Sequence, residues 1–495
     1  MIKYQRQGFI IFAPMVRLQR YSLLLFFFSS AIFVAQTMDS LVHSFVNTRA
    51  LSGAKISLLA IDLTNADTLC AYNPNMTTAT ASTTKLFSTS MALEVLGPNY
   101  RFETGFYTDG QIDHGVLKGD LWIKGGGDVS FGSKYFNGEG KEFDAMDAWI
   151  DTLRQLGISK IDGNIYLDAS SFGYEGTPSG WSAWDAGNYF GAFPAGLNFY
   201  DNIVKYYFET GKPGSKARLI TTSPYQPHLQ LTTKIISSNI KGDQSNLQGR
   251  AYDEHRIATG KLPAYKSSYV VKGSVANPEF NFAEVLKSRL ILDSFQVSGG
   301  VHTSRGINVP DYDCLFRLFS YHGRSVQEIA GWTNRKSVNL FAEGLLNGVG
   351  YHLTGSGTNA QGLKIYKQFF GTRIDTTSLR LFDGSGLSRN NRISASHFCD
   401  LLNYMTTSPM RNEFFETLPV AGKNGTISDL CKGSSGEGRV FAKSGTMTGI
   451  KSYAGYIQTV NGKTLAFALI VNGFSCSQAT VKQHMEVLLN ALSRQ

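Results

Sequence analysis

Ser82-Thr83-Thr84-Lys85 stands just before an apolar helical pattern of Phe87, Met91 and Val95, with Leu86 and Leu93 beside it, that ends at Gly97-Pro98. A serine at a helix start and a lysine three residues on share one face, a turn apart. A buried ammonium loses its proton readily, so such a lysine can act as general base for the hydroxyl. The helix N-terminus also favours developing negative charge. Taken alone, the pattern is far more often a helix cap beside a surface lysine. Ser-x-x-Lys occurs three times, at Ser52–Lys55, Ser82–Lys85 and Ser238–Lys241, and only the middle copy opens an apolar helix.

Two further groups bear on the same chemistry. Ser-x-Asn occurs at Ser237–Asn239, Ser337–Asn339 and Ser388–Asn390. Each could be a simple cap or turn. The copy at Ser337-Val338-Asn339 lies in a short link between two helical patterns, where a loop can present a hydroxyl and an amide to a cleft. Lys443-Ser444-Gly445-Thr446 holds the one Lys-[Ser/Thr]-Gly triplet of the chain. It precedes a strong hairpin pattern and is expected on or beside an edge strand. There backbone N–H groups can point at a substrate, and glycine lets that substrate come close.

The elements that must position these groups come from both ends of the chain. Residues 38–50 look helical, and ISLLAIDL (56–63), a turn, and TLCAY (68–72) read as a hairpin. At the other end SYAGYIQTV (452–460) and KTLAFALIV (463–471) flank Asn461-Gly462, which predicts a type I′ turn. A helix over 478–493 follows, with Val481, Met485, Leu488 and Leu492 at helical spacing. The two ends can therefore join in one antiparallel sheet packed by helices. The stretch from about 101 to 304 differs. It alternates short strands with few helices, the clearest over 143–155, and is expected to hold one or two β-rich inserted domains, with two nested subdomains preferred. Helices return from about 312, and Ser325 with Glu328 forms a capping box. The expected division is thus residues 37–100 and 305–495 for a discontinuous helix–sheet domain, and 101–304 for the insertion.

Bulk properties narrow the class. The 495 residues are 42% apolar and 17% charged, which suits large cores and excludes a disordered chain. Lys3, Arg6, Arg17 and Arg20 precede an apolar run from Tyr21 to Ala35, and no acid occurs before Asp39. This predicts a signal peptide over residues 1–36, cleaved near Ala35 or Gln36, with Met15 as a second possible start. A retained anchor helix is the alternative, although the run is short for a bilayer. Without residues 1–36 the formal charge falls from +9 to +5. That balance suits an anionic surface or a carboxylate substrate and does not indicate nucleic acid. Five scattered cysteines and nine histidines form no CxxC pair and no HExxH, so no metal and no organic cofactor is expected. Gly125-Gly126-Gly127-Asp128 lacks the ending of a phosphate loop and reads as a turn. Asp383 and Arg389 in DGSGLSR read as turn residues that could also orient a cleft, and the aromatics of 187–202 as core or a groove lining.

Ser-x-x-Lys, Ser-x-Asn and Lys-[Ser/Thr]-Gly, in that order and in helix-start, interhelical-loop and strand contexts, are the motif set of active-site serine penicillin-binding proteins and serine β-lactamases. GDLWIKGGGD (119–128), FDGSGLSRNNRIS (382–394), LPVAGKNGT (418–426) and the long insertion narrow the likeness. Over residues 38–495 the chain resembles the D-alanyl-D-alanine carboxypeptidase/endopeptidase family, the class C low-molecular-mass penicillin-binding proteins. It departs in Thr80-Ala81, where proline is frequent, in Val338, where a polar residue is common, and in Ser444, where threonine is usual.

The resemblance implies an α+β, β-lactamase/transpeptidase-like antiparallel sheet flanked by helices, with β-rich insertions. It implies an exported enzyme of the periplasm or cell envelope that acts on peptidoglycan peptides and is acylated by β-lactam antibiotics. Ser82 would be the nucleophile and Lys85 its base. Ser337 would relay a proton to the leaving amine, helped by Lys443, and Asn339 would bind the substrate peptide. Lys443 and Ser444 would hold a terminal carboxylate beside Gly445. The N–H groups of Ser82 and Thr446 would form the oxyanion hole. A serine β-lactamase and a catalytically silent wall-binding scaffold are the alternatives. Oligomeric state, membrane association and disulfide pairing stay open.

Overall fold

The computed structural model describes residues 37–495; the export segment expected over residues 1–36 lies outside the described residues. The two chain ends do meet in one sheet. In chain order its domain holds α1 (Met38–Val46), β1 (Lys55–Asp62), β2 (Thr68–Tyr72) and α2 (Lys85–Val95). After the insertion come α3 (Val326–Lys336), α4 (Asn339–Thr354), α5 (Ala395–Thr407), β3 (Val440–Met447), β4 (Ile450–Gln458), β5 (Thr464–Asn472) and α6 (Gln478–Ser493). The five strands are antiparallel in the order β3-β4-β5-β1-β2. β1 runs opposite β5 from Lys55–Asn472 to Asp62–Leu465, which closes the chain on itself.

Alternation along β5 shows why the sheet is covered on both faces. Phe467, Leu469 and Val471 join the core under α1 and α6, while Ala466, Ala468 and Ile470 join the core under α2, α4 and α5. The two alanines let α5 lie close, near enough for Cys399 Sγ to reach the Ala466 carbonyl. Each buried Leu or Phe here contributes about 1.5–3 kcal/mol. The 452–471 hairpin forms as expected, but its turn differs. Only Gly462 takes a positive φ, and its N–H bonds the Thr459 carbonyl at 3.2 Å, so a three-residue loop replaces the two-residue type I′ turn.

The insertion carries two further β cores. In one, a five-stranded sheet takes strands Val301–Thr303, Ile165–Asp168, Leu121–Gly125, Arg101–Thr108 and Phe316–Ser325, in that order. Helices Asp144–Gln155 and Pro278–Leu292 pack on it. In the other, two three-stranded sheets enclose Tyr206, Phe208, Ile235, Leu247 and Val271. Phe316–Ser325 lies beyond position 304 yet pairs with Arg101–Thr108, so this sheet receives a strand from the segment where helices were expected. The capping box forms where predicted: Ser325 Oγ accepts from the Glu328 N–H, and Glu328 Oε2 accepts from the Ser325 N–H at 2.9 Å. Among the described residues, no helix is long and apolar enough to cross a membrane.

Candidate active site

Ser82 sits in a tight 3-10 turn, Ala81–Thr84, immediately before α2, rather than on the α-helix itself. Hydroxyls in its own sequence pin the turn. Thr83 Oγ1 donates to the Thr80 carbonyl and Thr84 Oγ1 to the Ala81 carbonyl, each at 2.9 Å. From the sheet, Ser452 Oγ donates to the same Thr80 carbonyl at 2.6 Å. Two glycines permit the approach of neighbouring chain. A Cβ on Gly445 would run into the Thr80 carbonyl and Ser452 Oγ, and one on Gly386 into the Ala81 carbonyl. Gly445 therefore brings β3 against the backbone of Ser82. Ala81 itself holds a φ of 49°, a left-handed conformation that costs energy in a residue other than glycine.

Lys85 opens α2 and is wholly buried. Its Nζ has three partners: Ser82 Oγ at 3.0 Å, Asn339 Oδ1 at 2.5 Å and the Ser385 carbonyl at 2.6 Å. Burial pulls its pKa down to about 7, against the opposing pull of Asp383 and Glu343. A neutral amine has two N–H donors and one lone pair. Asn339 and Ser385 can accept the two protons, which leaves the lone pair for the Ser82 hydroxyl. The amide of Asn339 is oriented by its neighbours, because its Nδ2 donates to the Phe190 carbonyl at 2.8 Å. Phe190 belongs to the insertion, so the two parts of the protein meet at this side chain.

Ser337 caps α3 in a left-handed conformation, with φ 60°, between α3 and α4. Lys443, also wholly buried, donates from Nζ to Ser337 Oγ at 3.0 Å and to the Ser444 carbonyl at 2.7 Å. Burial, with Lys85 and Lys451 adding like charge, holds its pKa well below the ordinary lysine value. Ser82, Ser337, Asn339 and Thr446 share one cleft of about 460 Å³, whose far wall includes Asp185, Tyr189 and Phe190 of the insertion. Lys85, Lys443 and Gly445 stand behind that surface. Ser444 Oγ is 2.7 Å from Thr426 Oγ1, and Thr446 Oγ1 accepts from Lys451.

Several contributors have no motif of their own. The Ser385 and Phe190 carbonyls, Ser452, Thr426 and Glu343 are brought in by tertiary contact, and of these Glu343 alone lies outside every segment singled out from sequence. Asp383, in that same segment, is a hub: it accepts from the Gly386 and Ser388 N–H groups, from Asn391 Nδ2 and, across the domain junction, from Trp181 Nε1 at 2.8 Å. Arg389 lines the cleft and donates to the Thr448 carbonyl.

A model of the D-Ala-D-Ala carboxypeptidase 3 (S13) family matches residues 38–494. A D-alanyl-D-alanine carboxypeptidase of an Actinomadura species is 26% identical over 447 residues, covering 88% of this chain and 80% of the relative. D-alanyl-D-alanine carboxypeptidase DacB of Haemophilus influenzae is 24% identical over 467 residues, covering 91% and 92%. Among solved structures, penicillin binding protein 4 (dacB) from Haemophilus influenzae superposes with a TM-score of 0.79 at 22% identity, covering 92% of this chain and 99% of that one.

Proposed function

The chain belongs to the D-Ala-D-Ala carboxypeptidase 3 (S13) family, and from that premise we propose how its residues divide the work. It is a serine-type D-Ala-D-Ala carboxypeptidase of peptidoglycan. Ser82 Oγ attacks the carbonyl carbon between the two D-alanines while the Lys85 amine takes its proton. The oxyanion that forms is met by the N–H groups of Ser82 and Thr446, a contribution of about 2.7–4 kcal/mol for one donor in a measured case. As the C–N bond breaks, Ser337 passes a proton from Lys443 to the departing amine. Asn339 holds the acyl part of the peptide, and Thr446, backed by Lys443 and Ser444 behind the cleft surface, holds a free terminal carboxylate. Water then frees the acyl group and regenerates Ser82.

The observation that carries this reading is the Lys85 amine, buried, 3.0 Å from Ser82 Oγ, with its other two partners both acceptors. Replacing Ser82 with alanine abolishes covalent labelling by penicillin; labelling that persists at another serine refutes the assignment. Penicillin binding protein 4 of Haemophilus influenzae has been solved complexed with a β-lactam, which supports binding of a β-lactam here. The enzyme is exported to the cell envelope, with its leader inside residues 1–36. The insertion reaches the cleft through Tyr189 and Phe190. Product analysis on crosslinked peptidoglycan measures whether crosslinks between stems are cut beside terminal D-alanine.

A further inference from the structure

Glu343 lies one turn into α4 from Asn339 and is wholly buried. Three donors surround its carboxylate. Oε1 accepts from the Ser385 N–H at 2.8 Å, and Oε2 from the Gly384 N–H at 3.0 Å and from Asn359 Nδ2 at 3.4 Å. The carbonyls of the same two residues hold α2. The Ser385 carbonyl takes its hydrogen bond from Lys85 Nζ at 2.6 Å, and the Gly384 carbonyl from Ser88 Oγ at 2.7 Å. Asn339 and Glu343, at i and i+4 on one face of α4, thus grip Lys85 twice: once directly and once through the Gly384–Ser385 turn. An acid inside the run Leu340–Leu346 is costly to bury and stays where its hydrogen bonds compensate. Burial and the charge of Asp383 push its carboxyl up to about 8, so at neutral pH it is mostly uncharged and holds back the charge that would favour the protonated form of Lys85.

We propose that Glu343 is a positioning residue for acylation: it fixes the Gly384–Ser385 turn so that the Ser385 carbonyl aims the Lys85 lone pair at Ser82. The inference rests on the role of Lys85 as base. The physical reason is the single lone pair of a neutral amine. It points at the Ser82 hydroxyl only while both N–H groups are taken by Asn339 and Ser385. Alanine at 343 leaves two buried N–H groups of the turn without an acceptor. Glutamine keeps one acceptor and turns an NH2 toward the other N–H, so it disturbs the turn less.

The test measures the second-order rate constant for acylation by a fluorescent penicillin across the neutral pH range, with a melting temperature for each protein. Because a displacement of about 1 Å in a reacting group costs about a hundredfold, Glu343→Ala is expected to slow acylation about a hundredfold and Glu343→Gln about tenfold, both with a displaced pH profile. Asn359→Ala touches Glu343 but not the turn and acylates like the parent, even where it melts lower. Glu343 variants that acylate at the parental rate, or whose loss equals that of Asn359→Ala at an equal fall in melting temperature, overturn the proposal. If Glu343→Ala does not fold, Glu343→Gln and its pH profile decide alone. Lys85→Met separates the premise from the inference. An inactive Lys85→Met beside a fully active Glu343→Ala refutes the positioning role only, whereas an active Lys85→Met refutes the base itself and the inference with it.

Discussion

Lys443 Nζ lies 3.0 Å from Ser337 Oγ although 106 positions separate the two residues. Ser337 is held in a left-handed conformation between α3 and α4, and Lys443 comes from the edge strand β3. They meet because the helical layer lies directly on the sheet. Lys443 is buried with Lys85 nearby, and that like charge makes its proton easier to give up. A second serine–lysine pair therefore stands behind the cleft opened by the first, suited to delivering a proton as the first pair removes one.

Ser337→Ala breaks this pair. It leaves Lys443 with only the Ser444 carbonyl as acceptor. Loss of a positioned proton donor lowers kcat by about 10²–10⁴-fold. Release of D-alanine from a D-Ala-D-Ala peptide should fall by that order with KM nearly unchanged, because the hydroxyl acts on the leaving group rather than on binding. A change confined to KM contradicts the relay.

The pH dependence follows from Lys85. Its folded-state pKa is depressed to about 7 from an ordinary 10.5. With the proposed role of Lys85 as base, the amine is protonated and inactive below about 7, and acylation by a β-lactam should rise as pH increases through that value. Stability moves in the same sense. Between the two pKa values the unfolded chain holds a proton that the folded one has released, so this group's contribution grows as pH rises from about 7 toward 10.5 and is smallest below 7. Lys85→Met removes that dependence, and the melting temperature of the variant, followed against pH, gains most over the parent on the acid side. A flat difference between the two proteins across that window contradicts the burial of a charged-to-neutral lysine.

How much of this was legible in sequence depends on the range of the contact. The Ser82 turn, the Ser337 cap and the Lys443 strand announce themselves locally, as did the hairpin pairs that bring the chain ends together. Helix Pro278–Leu292 was not expected, although Asn277 caps it and Pro278 opens it, because it is buried on more than one side and its apolar residues show little helical period. Strand Phe316–Ser325 carries Arg317, His322 and Arg324 and has no clean alternation; its pairing with Arg101–Thr108 across the insertion is what makes it a strand. Glu343 sits in an apolar helical run where nothing local marks it, and its partners come from a turn some forty positions on.

Gly445→Ala tests the close approach of β3 to Ser82. The added Cβ would meet the Thr80 carbonyl and Ser452 Oγ, both of which pin the turn, and would stand 3.1 Å from the Ser82 nitrogen. Either the strand or the turn must move. Overpacking of this kind costs about 1–3 kcal/mol, and a displaced Ser82 loses alignment with Lys85. Acylation should slow at least about a hundredfold, while urea unfolding shows a loss within that range. A variant that keeps full acylation shows that the turn and strand are not coupled.

Asn339→Asp separates the two contacts of the Asn339 amide. The substitution keeps an oxygen toward Lys85 and loses the N–H that Phe190 accepts. It also places a carboxylate against the Lys85 amine, and an opposite charge at that distance favours the ammonium and raises its pKa. The base then stays protonated at neutral pH, so acylation falls there and recovers only as the pH is raised. Asn339→Ala loses both the bond to Phe190 and the acceptor for Lys85 but adds no charge, so its acylation should be slow without that alkaline recovery. The comparison between the two variants isolates the electrostatic part: parallel pH profiles for Asp and Ala would mean that Asn339 serves only to tie the insertion to α4, whereas an alkaline displacement in Asp alone shows that its neutrality is what keeps Lys85 a base.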